Sequence, residues 1–172
     1  DWEMIDTISP VMTHGARNWL RDLAREFKLA GIGASFAFSM ECYLPPMAMA
    51  ARYWDGVPVF LEIPSHQMHF GTRVRNYLKQ MYKECADEIA AAGLPIVLQF
   101  GETQWWYFPN ASGMGFYDDD TKAAFQTRYG RPLHRFLANT DDPNDDIEAS
   151  DFLRDRIWEY CADVISYVRR FH

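Results

Sequence analysis

The chain has 172 residues, of which 48% are hydrophobic and 24% charged, a composition that excludes disorder and low complexity and supplies a real core. Seventeen Lys and Arg against 24 Asp and Glu leave a net charge of −7. An acidic surface with no basic cluster excludes general nucleic-acid binding, and the longest apolar run, near residues 31–38, falls far short of a membrane span.

Thr13 is placed to cap a first helix reaching about Ala30, with Ala16, Trp19, Leu20, Leu23, Ala24 and Phe27 at helical spacing. Gly31 stops it. Residues 32–41 then alternate as a strand. Ala34, Phe36, Phe38 and Met40 share a bulky face; Ser35, Ala37, Ser39 and Glu41 share a small, polar one.

Residues 42–71 form a long excursion marked by Pro45-Pro46 and the Asp55-Gly56 turn. Residues 57–63 are expected to pair back on residues 50–54. Thirty residues without a strong element point to a functional loop.

A second helix is expected from about Arg73 to Ala92, burying Val74, Tyr77, Leu78, Met81, Cys85 and Ile89 and closed by Gly93. Residues 95–102 are a short, nearly continuous apolar run, as in a parallel strand covered on both faces. After a loop rich in rings, Asp118–Asp120 offer caps for a helix reaching Tyr129, with Gly130 behind it. A short helix is expected from Pro132 to Leu137, an acidic turn over residues 139–146 and a last helix from about Asp151 to Phe171. The three cysteines include no Cys-x-x-Cys pair, so free thiols are expected, not a disulfide framework.

The order is βαβ, hence a parallel pair with a right-handed crossover. Two strands among four helices cannot form a stable sheet alone. The expected fold is therefore α/β: a single partial TIM (β/α)8 barrel domain over residues 1–172 and a fragment of a larger chain, since a full barrel takes roughly 250 residues. A start at Asp1 and an end inside a helical pattern agree with a piece of something bigger.

In such folds function sits where strands end. Both strands end in Glu, at Glu41 and Glu102. Paired carboxylates suit glycosidic bond cleavage, one protonating the leaving oxygen while the other attacks or activates water. Behind Glu102 come Thr103, Gln104, Trp105, Trp106, Tyr107 and Phe108. Rings pack on the C–H faces of sugars, and an amide such as Gln104 fixes hydroxyls. The candidate site is Glu102 as general acid/base, with Glu41, Gln104, Trp105, Trp106 and Tyr107 as carbohydrate contacts. The plainer reading is a set of rings sealing the end of the fold.

His66 and His69 have His-x-x-His spacing in the excursion. With no third ligand beside them they are read as sugar contacts and not as a zinc site. Asp142, Asn144 and Asp146 resemble the start of a calcium loop. However, Ile147 replaces the required Gly and Leu153 the closing Glu, so no metal is expected. No Gly-rich phosphate loop is present, and no cofactor is expected.

The run Leu98-Gln-Phe-Gly-Glu102, the Trp-rich loop after it and the segment Tyr117 to Gly130 containing Ala124-Phe125 and Arg128-Tyr129-Gly130 resemble clan A glycoside hydrolases of the β-galactosidase type. That resemblance implies a TIM barrel with Glu102 as acid/base. The family pattern has Asn, which holds a sugar hydroxyl, where this chain has Gly101, and its nucleophile comes from a late strand that this chain does not contain. A Gly-Glu followed by Trp-Trp also resembles the TIM-barrel domains of phage tail proteins, such as non-contractile tail sheath and gene-transfer-agent proteins. This second resemblance implies a structural or glycan-binding barrel that packs against other domains or a tail assembly. The implied setting is a virion or the bacterial cytoplasm.

Overall fold

A computed structural model describes residues 11–61, 65–101, 113–138 and 140–172. The elements run α1 (His14–Leu29), β1 (Phe36–Phe38), β2 (Glu41–Cys42), β3 (Phe60–Leu61), β4 (Ser65–Gln67), α2 (Thr72–Ala91), β5 (Leu98–Phe100), α3 (Asp119–Tyr129) and α4 (Ile147–Val168). Short 3-10 turns cover Met47–Met49 and Pro143–Asp146.

The helix ends follow their local chemistry. The Thr13 hydroxyl accepts from Ala16 N–H, and the Asp118 carboxylate accepts from Thr121 N–H, each meeting a donor that the helix leaves unpaired. Behind α3, Gly130 sits at φ +71° and returns its N–H to the Gln126 carbonyl.

β1 and β5 are parallel, with Phe36 opposite Leu98 and Phe38 opposite Phe100. α2 is the crossover, packed between α1 and α4. Phe36, Phe38 and Leu98 pack toward the helices, against Leu20, Ala24, Cys85, Ile89 and Leu94. Ser35, Ala37, Val97 and Gln99 are exposed on the other face. In a closed barrel that face lines the interior. Among the described residues the parallel strands number two and no barrel closes.

The expected strand over residues 32–41 is divided. β1 ends at Phe38, and Glu41 belongs to a second, antiparallel sheet ordered β2-β4-β3. The break falls at Met40, which is buried and whose carbonyl accepts from Met68 N–H. The excursion is also more ordered than expected. The described part of the expected 57–63 stretch, residues 57–61, does turn back on residues 50–54, through the Arg52–Pro58 bridge and the Val59 N–H to Ala51 carbonyl bond. β4 is an addition: polar Ser65-His66-Gln67 carries no apolar alternation. Met49, Met68 and Phe70 from the excursion enter the main core beside Phe116, Phe125, Phe152 and Tyr160.

The expected helix from Pro132 to Leu137 does not form. Its backbone is claimed by buried Tyr117, whose hydroxyl accepts from Phe136 N–H at 2.6 Å and reaches the His134 carbonyl at 3.1 Å. Burial raises the Tyr117 hydroxyl to about 12. The last helix starts earlier than expected, at Ile147, capped by the Asp146 carboxylate on Ala149 N–H. Trp19, expected to face inward, is exposed, while Leu20 and Ala24 carry the α1 contact. Two buried glutamates supplement that contact. Glu88 receives both Arg17 and Arg21, and Glu84 accepts from the N–H groups of Val11 and Met12 at 2.9 Å.

Candidate functional site at the strand ends

The ends of β1 and β5 are locked together. Gly101 donates its N–H to the Phe38 carbonyl at 2.9 Å. A Cβ on Gly101 would lie 3.0 Å from Ser39 Oγ, 3.1 Å from the Phe38 carbonyl carbon and 3.2 Å from its oxygen. A side chain there would require Ser39 or the β1 backbone to give by a few tenths of an ångström. An Asn at this position, as in the glycosidase pattern, would press on β1.

Glu102, Gln104, Trp105, Trp106 and Tyr107 lie outside the described residues. Glu41 lies in β2 opposite Gln67, one sheet removed from the parallel pair that ends at Gly101.

The two histidines part company. His66 sits in β4 opposite Cys42 and Phe60, its ring edge-on to Phe60 at 5.1 Å. Its Nδ1 is buried with no hydrogen-bond partner among the described residues, and burial lowers its pKa. Beside it, burial lifts the Cys42 thiol to about 12.

His69 is buried, and both its nitrogens are engaged. Nδ1 accepts from Gly71 N–H at 2.8 Å, which places the proton on Nε2, 2.8 Å from the Ala48 carbonyl. Asp118 and Asp120 stand 3.6 and 4.0 Å from Nδ1. Gly71 has no room for a side chain, because a Cβ would collide with the Asp120 carboxylate and the His69 ring. His69 therefore ties the excursion to the start of α2. Among the described residues no group of three or more His, Cys, Asp or Glu side chains is placed to hold a metal. Asp146, considered above for calcium, is held at 2.6 and 2.7 Å by Arg131, whose bonds set its carboxyl below the usual range.

Next to His69 is a feature that sequence reasoning missed. Arg75 Nε donates to the Phe70 carbonyl at 2.7 Å and Arg156 Nη2 donates to the same oxygen at 3.2 Å, with Glu159 3.6 and 3.7 Å from the two guanidinium groups. Arg156 is buried, between Phe152 and Tyr160 in the inward row of α4. A charged residue in an apolar row was the available signal.

Residues 2–152 match the family model described as the non-contractile tail sheath protein TIM barrel. The chain belongs to that family. No curated protein and no solved structure matches it. The parallel β1–β5 pair with its α2 crossover is thus a segment of a tail-sheath TIM barrel. The matched family is the second of the two that the sequence resembles.

Proposed function

We propose that this tail-sheath barrel segment is a structural, non-catalytic part of a phage tail, packing against other sheath domains or tail components. The family match over residues 2–152 carries this reading. The strand-end geometry supports it. Gly101 replaces the amide that a glycosidase uses to hold a sugar hydroxyl, and Ser39 and Phe38 crowd the space of its Cβ. His69 is consumed in holding the backbone together and offers no free nitrogen to a ligand.

A second reading keeps glycan contact. It is favoured by the run Gln104-Trp105-Trp106-Tyr107 directly behind Glu102, with Glu41 and His66 as further polar groups. In this reading Glu102 is the acid/base of a glycoside hydrolase, or the rings bind a glycan without cleaving it.

The deciding experiment assays the full-length protein and its Glu102→Gln variant on a panel of aryl glycosides and bacterial surface glycans. The structural reading predicts no turnover by either. Turnover by the parent that is lost in Glu102→Gln would overturn it.

A further inference from the structure

Trp54 stands at the tip of a hairpin in the excursion that follows the C-terminal end of β1, the side on which the ligand-binding loops of such folds lie. The tip is closed by Tyr53 N–H on the Val57 carbonyl and by Gly56 N–H on the Tyr53 carbonyl, both at 2.9 Å, with Gly56 at φ +87°. Arg52 ties it down from the side, donating from Nη1 to the Gly56 carbonyl at 2.6 Å and from Nη2 to the Met47 carbonyl at 3.2 Å. Trp54 itself is 41% exposed.

The Arg135 guanidinium lies over the Trp54 ring, 5.1 Å from its centroid. Among the described residues that guanidinium makes no hydrogen bond and has no carboxylate within ion-pair distance. One buried residue builds the pairing. Tyr117 gives its N–H to the Arg52 carbonyl at 2.9 Å, which fixes the hairpin. Its hydroxyl meets the His134 carbonyl and the Phe136 N–H, on either side of Arg135. Gly113, at φ +85°, packs so closely on the same segment that a Cβ would stand 2.7 Å from the Leu137 carbonyl oxygen. The non-helical course of residues 132–137 thus presents an unpaired guanidinium beside an exposed ring.

We propose that Trp54 and Arg135 form a binding site for an acidic carbohydrate, a sugar ring that carries a carboxylate. The C–H face of the sugar packs on the exposed indole surface, and the guanidinium fork takes the carboxylate. On a chain of net charge −7 such a site needs cations that internal acids have not already claimed. Neither Arg52 nor Arg135 has a carboxylate within ion-pair distance among the described residues. Asp55, the acid at the tip, is turned onto Val57 N–H at 3.0 Å. An acidic peptide fits less well, because the backbone carbonyls beside the ring, those of Met47 and Gly56, are taken by Arg52. The site uses neither Glu102 and the rings behind it nor the sheath reading, so its test is separate from theirs.

The test is titration calorimetry of the full chain at low and high salt. The probes are hexamers of galacturonate, hyaluronan and sialic acid, with maltohexaose as a neutral sugar and hexaglutamate as an acid that is not a sugar. At least one acidic hexamer should bind, and more weakly at high salt. Trp54→Ala and Arg135→Ala should each weaken binding about tenfold or more, with little change in melting temperature because both side chains are exposed. Arg135→Lys, which keeps the charge and loses the fork, should fall between Arg135→Ala and the parent. No binding of any acidic hexamer by the parent, or binding undiminished in Trp54→Ala, overturns the proposal. Hexaglutamate bound as tightly as the acidic sugars would make the occupant a peptide, and maltohexaose bound as tightly would remove Arg135 from the site. Either result overturns the acidic-sugar assignment.

Discussion

Gly101 lies against Phe38 so closely that its N–H bonds the Phe38 carbonyl at 2.9 Å while a Cβ would stand 3.1 Å from the carbonyl carbon. The residue that departs from the glycosidase pattern is therefore the residue that joins β1 to β5. The two facts have one physical origin: the strand end is built for backbone contact. Gly101→Asn should cost about 1–3 kcal/mol by overpacking and should create no glycosidase activity. Urea unfolding measures the first, and an aryl-glycoside assay the second. Unchanged stability would mean that β1 yields easily.

Glu88 predicts a larger effect. Its carboxylate is 2% exposed and meets Arg17 and Arg21, each about one third exposed. Removing the acid strands two cations at a helix interface, and Glu88→Ala should destabilise by about 3 kcal/mol. Because the arginines reach water, replacing only one of them should cost less, about 1 kcal/mol. Denaturant midpoints of the three variants give the comparison. Equal losses from Glu88→Ala and Arg17→Ala would contradict a shared carboxylate.

His66 predicts a pH dependence. Burial lowers its pKa in the folded chain, so the unfolded chain takes up a proton first as pH falls. The contribution is fully present above the unfolded value of about 6.5. It is lost as pH falls through the lower folded value. Melting temperature should therefore sag from pH 7 toward pH 5, and His66→Phe should flatten that limb. A sag unchanged in His66→Phe would place the titrating group elsewhere.

His69 gives the contrasting case. With Nδ1 on Gly71 N–H and Nε2 on the Ala48 carbonyl, it acts as a strut. His69→Ala should cost about 1–3 kcal/mol by leaving a buried donor and acceptor unpaired, read as a drop in the urea midpoint. Zinc should leave the parent's melting temperature unchanged, because neither nitrogen is available to it. A zinc-dependent rise lost in His69→Ala would refute the strut.

These residues show why some of the structure was legible and some was not. Helix ends were readable wherever a local device sets them: Thr13 and Asp118 as caps, Gly130 as a left-handed stop. The βαβ order was readable because the apolar faces of β1, α2 and β5 repeat at their own periods. Non-local partners were invisible. Tyr117 prevents the helix expected after Pro132, and Glu84 and Glu88 are buried because Val11, Met12, Arg17 and Arg21 meet them. β4 forms from polar residues that an apolar search passes over. At the candidate site, Glu102 and its rings were visible as a pattern. The closeness of Gly101 to β1 was not, because it depends on a residue more than sixty positions away.

A structural part of a tail sheath must be found on the tail itself. Gold-labelled antibody against the domain, applied to intact virions carrying the full-length protein and viewed by electron microscopy, tests it most directly. Gold at regular intervals along the tail tube is the expected result. Particles whose tails carry no label, with the protein recovered only as a free species that turns over glycosides, would contradict it.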